Sequence, residues 1–282
     1  MQSNLLPNST SLLERTKFLL RKYRISPNRL MGQNFMIEPS LFQIMNDYAQ
    51  VAQDDVTVDI GAGLGFLTRF LADKCKRVLA VEADERLVRE LFEQFENVPN
   101  VTVIAGDVLK THIPRFDKVV SIPPYRISSR LVKWLLDRHL SPSVLIFQQE
   151  FANRLVAPVG SGNYGLLTIL TYYHAKCELF DQVPKHMFYP QPEVGSIIVR
   201  LEPRKSKPFK VDNEPMFTKM VQSLFTQRNR KVRNAVQPFL RGILAKTPMD
   251  AETITAHVPY STERVRMLTA EDFGVLANAL LS

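Results

Sequence analysis

Four short apolar runs, at residues 56–60, 77–81, 101–105 and 118–122, each stop at a glycine, an acid or a proline, and helical patterns at 65–74 and 84–95 separate the first three. Alternation of this kind builds a mainly parallel sheet covered on both faces. In such sheets ligands lie beyond the carboxyl ends of the strands, where the strand order reverses, so whatever follows each run shares one edge. Further on, 129–140 reads as helix, 143–148 as strand, 150–156 as helix and 160–165 as a loop. Residues 166–174 fit either period and are taken as a strand, followed by strands at 178–183 and 194–201.

A proline-punctuated polar joint at 202–208 ends this part. Beyond it Phe217, Met220, Val221, Leu224 and Phe225 recur at helical spacing, with Thr253, Ser261 and Thr269 as expected helix starts. The expected organisation is a basic N-terminal helical arm (1–30), an α/β domain (31–204) and a small C-terminal helical domain (209–282).

The balance of 36 Lys and Arg against 28 Asp and Glu gives a net charge of +8, which favours a polyanionic partner. Two cysteines, Cys75 and Cys177, and scattered histidines imply neither a disulfide framework nor a metal site. No apolar stretch is long enough to span a membrane. The arm holds one acid, Glu14, among several bases. It suits a transit peptide or an amphipathic helix that docks or faces RNA; the helix, in a reduced cytoplasmic setting, is the expectation.

The first run leads into Gly61-Ala-Gly-Leu-Gly65 and then a helical stretch, an arrangement that lets a nucleotide-like ligand approach bare backbone. A dinucleotide fingerprint needs glycine at its sixth position, which is Phe66 here. Glycines at 61, 63 and 65 instead suit a cofactor without a pyrophosphate. Glu82, in Val81-Glu82-Ala83-Asp84, lies 21 residues past Gly61, where a carboxylate accepts from ribose hydroxyls. Asp107, before Val108, is an acceptor suited to an adenine amino group.

The fourth run ends in Ile122-Pro123-Pro124-Tyr125. Consecutive prolines lack N–H groups and cannot continue a ladder, which leaves carbonyls at Pro123 or its neighbours to accept from an amino group. Tyr125 offers a face for an extruded base. An exocyclic adenine nitrogen is a poor nucleophile, so its methylation is chiefly a problem of positioning.

In order along the chain, Met31-Gly-Gln-Asn-Phe35, Asp59–Gly65, Val81-Glu82, Gly106-Asp107-Val108, Ile122–Ser129, Phe188-Tyr-Pro-Gln-Pro-Glu-Val194 and Phe225–Ala235 resemble the rRNA adenine N6,N6-dimethyltransferases of KsgA type. The resemblance implies a Rossmann-like, S-adenosylmethionine-dependent methyltransferase domain. It implies cofactor contacts at Gln33, Asn34, Met36, Gly61, Gly63, Glu82, Ala83, Asp107 and Val108. Ile122, Pro123, Pro124, Tyr125 and Phe188 would form the reaction site, with Phe188 opposite Tyr125 across the base. The implied substrate is a pair of adjacent adenosines in the 3′-terminal hairpin of small-subunit rRNA, free or in a pre-30S-type particle, acted on by a monomer.

One position departs. The family's asparagine before Leu-Pro-Tyr or Ile-Pro-Tyr is Ile122 here, which has no side-chain acceptor; loss of one positioned hydrogen bond costs about 10²–10³ in rate. The leading expectation is that carbonyls and stacking preserve activity. The alternatives are a catalytically weak or inactive ribosome-assembly factor and a DNA adenine N6-methyltransferase. Arg228, Arg230, Lys231 and Arg233 cluster as expected phosphate contacts, which position RNA without reading its sequence.

Overall fold

The computed structural model describes residues 10–27, 32–137 and 141–281. Met31 and the first nine residues of the expected arm lie outside that range. The described part of the arm forms α1 (Leu12–Lys22), begun by a capping box in which Ser11 and Glu14 satisfy each other's backbone N–H groups. It is a docked helix. Leu20 and Ile25 pack with Phe35, Leu64 and Leu87, and the Tyr23 hydroxyl donates to Glu93 at 2.6 Å.

The chain continues through β1 (Phe35–Met36), α2 (Ser40–Ala49), β2 (Val56–Ile60), α3 (Phe66–Ala72), β3 (Arg77–Glu82), α4 (Glu85–Phe95), β4 (Val101–Ala105) and β5 (Lys118–Ser121). Then come α5 (Ser128–Asp137), β6 (Ser143–Gln148), α6 (Gln149–Leu155), α7 (Leu166–His174), β7 (Ala175–Val183), β8 (Phe188–Tyr189) and β9 (Ser196–Pro203). The main sheet runs β4-β3-β2-β5-β6-β9-β7. Pairs β4–β3, β3–β2, β2–β5 and β5–β6 are parallel, and β6–β9 is antiparallel. Strand order reverses between β2 and β5, so the glycine turn after Ile60 and the prolines after Ser121 open onto one crevice.

The segment 166–174, expected as a strand, is the helix α7. Its period is obscured because Ile169, Leu170 and Tyr173 are all buried, and an almost uniformly apolar segment carries no face signal. Gly165 opens it in extended backbone, its N–H donating to Thr168 Oγ1 at 3.2 Å. The pairing of β1 with β8, with Phe35 opposite Tyr189 and Met36 opposite Phe188, involves strands too short to leave a pattern.

The chain divides into two compact units. The first runs to Ala152 and takes in Glu178–Pro203; the second comprises Asn153–Cys177 and Arg204–Ser282. The expected boundary at 202–208 adjoins the division at Pro203, while 153–177 packs with the later helices. Those helices are α8 (Glu214–Phe225), α9 (Val232–Ala235), α10 (Gln237–Gly242), α11 (Pro248–His257) and α12 (Ala270–Leu281). Phe217, Met220, Val221 and Leu224 of α8 are fully buried, as their spacing predicts. Thr269 starts α12, its hydroxyl accepting from Asp272 N–H. Thr247, not Thr253, caps α11, and no helix begins at Ser261.

Candidate functional site: a two-part cavity at the switch point

The crevice holds a cavity of about 290 Å³ lined by Gln33, Asn34, Gly61, Gly63, Glu82, Ala83, Asp107, Val108, Ile122, Pro123, Pro124 and Tyr125, among others. Every predicted cofactor residue except Met36 is on this wall. Met36 is buried in the core beside Phe188 and lines an adjoining pocket of about 50 Å³, which Ile122 and Asp59 also line.

Glu82 ends β3 and is nearly buried. Its Oε2 accepts from Gly63 N–H at 2.9 Å, and its Oε1 from Ala83 and Asp84 N–H at 2.8 and 2.9 Å. The carboxylate therefore staples the glycine turn to the strand end. Burial pushes its pKa up, opposed by those donors. Each carboxylate oxygen has two acceptor directions, and Oε2 uses one of them here. Asp84 takes two guanidinium hydrogen bonds from Arg86 and one from Gln33 Nε2 at 3.1 Å. Chiefly through Arg86, its carboxyl is held down to about 2. Gln33 is thus tied to the β3 end. Asp107 Oδ1 accepts from Leu109 N–H at 3.0 Å.

Gly61 has φ +75°, and a Cβ there would lie 2.6 Å from Pro124 Cδ. The donor-side turn and the prolines touch, and only glycine permits it.

On the acceptor side, Ser121 is turned into the sheet. Its Oγ accepts from Ile60 N–H at 2.7 Å and donates to Val58 O at 3.3 Å, closing the β2–β5 seam where paired register ends at Val58 and Val119. It offers nothing to the cavity in place of the missing asparagine. Pro124 O accepts from Ile127 N–H at 3.1 Å. Among the described residues the carbonyls of Ile122 and Pro123 take no backbone donor.

Tyr125 Oη and Ser196 Oγ lie 2.6 Å apart, and burial pushes the phenol up to about 12. Phe188 is fully buried, and its ring meets Tyr125 edge to face, with centroids 6.4 Å apart at 70°. The two predicted rings come together, but not as parallel walls.

Sequence reasoning missed Asp59, which is buried, receives the Thr68 hydroxyl at 2.7 Å and is raised by desolvation to about 7. Arg126 and Arg130 on the cavity wall were also missed, although their spacing of four residues from each other, directly after Tyr125, is a usable signal.

In the second unit, Arg228 donates to Ser161 O at 2.7 Å and Gly162 O at 2.8 Å, so this predicted phosphate contact clamps the 160–165 loop. Arg230, Lys231 and Arg233 are exposed. A segment at 263–266 lies antiparallel beside them, with Val232 N–H on Glu263 O and Val265 N–H on Arg230 O. It pairs Arg264 with Lys231 and brings Arg266 alongside.

Comparison with solved structures gives the class. A dimethyladenosine transferase from Plasmodium falciparum superposes with a TM-score of 0.72 at 26% identity, covering 88% of this chain and 96% of that one. The 23S rRNA methyltransferase ErmE gives a TM-score of 0.63 at 26% identity, with 88% and 100% covered. The fold is that of an α/β methyltransferase with added C-terminal helices. Residues 25–265 match the family model for ribosomal RNA adenine dimethylase. The chain is 39% identical over 264 residues to a probable ribosomal RNA small subunit methyltransferase A from Methanosarcina acetivorans, covering 93% of this chain and 96% of that one. To the protein of that description from Thermococcus kodakarensis it is 37% identical, with 90% of each covered. The chain belongs to the ribosomal RNA adenine dimethylase family.

Proposed function

We propose that this protein transfers methyl groups from S-adenosylmethionine to the N6 nitrogen of adjacent adenosines in the 3′-terminal hairpin of small-subunit rRNA. The observation that carries the proposal is the single crevice in which the glycine turn and Glu82 adjoin the Ile122–Tyr125 segment. The cavity wall fits such a donor: bare backbone at Gly61 and Gly63, an acceptor direction on Glu82 for ribose hydroxyls, and Asp107 for the adenine amino group. Gln33, Asn34, Ala83 and Val108 would complete that wall. The donor, when bound, supplies a methyl carbon on a cationic sulfur.

On the acceptor side the carbonyls of Ile122 and Pro123 would accept from the target amino group, holding its lone pair toward the donor. The Tyr125 ring would carry the base by stacking. Because Phe188 is buried and edge-on, a purine lodged between the two rings requires Tyr125 to turn, while one stacked on the open face of Tyr125 does not. Phosphates would lie along Arg230, Lys231, Arg233, Arg264 and Arg266.

The test is incubation with methyl donor and small-subunit RNA, followed by nuclease digestion and mass spectrometry. The expected product is N6,N6-dimethyladenosine, and complete absence of methylated adenosine rejects the proposal. A second reading, a methyltransferase-fold assembly factor without catalysis, is favoured by Ile122 and by the edge-on rings. A DNA adenine methyltransferase has less support, since the short span between glycines and prolines leaves little room for a recognition domain.

A further inference from the structure

The lining of the larger cavity is sorted by charge. Glu82, Asp84 and Asp107 stand at the ends of β3 and β4, and the charge of Asp84 is answered by Arg86 at 2.7 Å. The cations on the lining are Arg126 and Arg130. Arg126 sits in the single turn of 3₁₀ helix at Tyr125–Ile127 and Arg130 in the first turn of α5, so they lie four residues apart on one continuous helical run. Both are exposed. Among the described residues neither forms an ion pair with a carboxylate, and the closest carboxylates along the chain, Asp117 and Asp137, bind Val56 N–H and Lys133.

A guanidinium without a protein anion, at the mouth of a cavity and one residue from the ring proposed to carry the base, is placed to hold a phosphate. Two of them on successive turns would grip the strand on which the target base is carried. We infer that Arg126 and Arg130 are positioning residues that bind the phosphates flanking the target adenosine. This rests on the function proposed above. The cavity thereby has an acidic end for a cationic donor and a basic end for a polyanion.

The test uses the full-length protein with a synthetic RNA hairpin bearing two adjacent adenosines in its loop. RNA affinity is measured across a salt series, donor affinity by calorimetry, and steady-state methylation in parallel, for wild type, R126A, R130A, the double alanine variant and the double lysine variant. A single-stranded contact contributes about 0.7 to the slope of log affinity against log salt, so the double alanine variant is expected to lose about 1.4. Its RNA KM should rise about tenfold or more with kcat little changed, as for loss of phosphate contacts. Donor affinity should stay constant, and the lysine variant should recover the slope.

An unchanged slope overturns the inference. So does a fall in donor affinity with RNA binding intact, which would assign the arginines to the donor. A wild type that transfers no methyl while the slope still falls in the double alanine variant would overturn the proposed function and uphold the phosphate contacts.

Discussion

The phenol of Tyr125 is fixed to the hydroxyl of Ser196, 2.6 Å away at the start of β9. Ser196 is 1% exposed, so the ring that would carry the base is oriented by a buried group on a strand remote in sequence. Removing one partner of a buried hydrogen bond costs about 1–3 kcal/mol. Ser196→Ala should therefore lower thermal stability modestly and reduce kcat on RNA about tenfold, with donor affinity unchanged. Tyr125→Phe should do the same through the same bond. Tyr125→Ala removes the stacking face, worth about 1–3 kcal/mol per base, and should lower activity further. Stopped-time methylation assays with calorimetric donor titrations separate these outcomes.

Ile122 is the position at which activity is most open to gain. It is half-buried against the core cluster of Met36, Val120 and Phe188. Ile122→Asn should raise kcat by up to about 10² by restoring a positioned acceptor, at a cost of about 1–2 kcal/mol in stability from lost apolar packing. Methylation detected only in that variant would support the assembly-factor reading.

Gly61→Ala tests the contact with Pro124. Its φ of +75° and the 2.6 Å approach to Pro124 Cδ both oppose a side chain. The variant should lose donor affinity and about 1–3 kcal/mol of stability, read by calorimetry and thermal melting.

Among the basic residues the structure separates two roles. Arg228→Ala, by removing two hydrogen bonds to the 160–165 loop, should lower Tm and leave the salt slope of RNA binding unchanged. Arg230→Ala or Arg233→Ala should leave Tm nearly unchanged and flatten that slope by about 0.7 each.

Buried carboxyls set the pH dependence of stability. Desolvation raises Glu90 from 4.5 to about 7 and Asp59 from 3.8 to about 7. With folded pKa above unfolded pKa, the unfolded chain gives up these protons first as pH rises. Stability from this source is therefore complete below about pH 4 and is lost progressively through about pH 7. Tm should fall between about pH 4 and 7. Glu90→Gln, which lies outside the cavity, should flatten that fall, with about 2–4 °C regained per kcal/mol; an unchanged profile refutes the assignment.

Much of the donor side was legible because glycine, acid and proline each follow an apolar run, and parallel topology brings strand ends together without any contact being known. Orientation was not legible. Nothing in the order of residues says that both oxygens of Glu82 already hold backbone donors or that Phe188 meets Tyr125 edge-on; these depend on packing. Arg264 and Arg266 escaped because an antiparallel contact between distant segments brings them beside Lys231. The helix α7 escaped because burial on nearly all sides erases the period that separates helix from strand.

The Gly61 backbone lies so close to the Pro124 ring that no side chain fits between the two loops. A donor that shifts the glycine turn would press on the Pro124 ring, and a purine that shifts the prolines would press back on Gly61. Any coupling between the two ends of the crevice then acts by an equal factor in each direction.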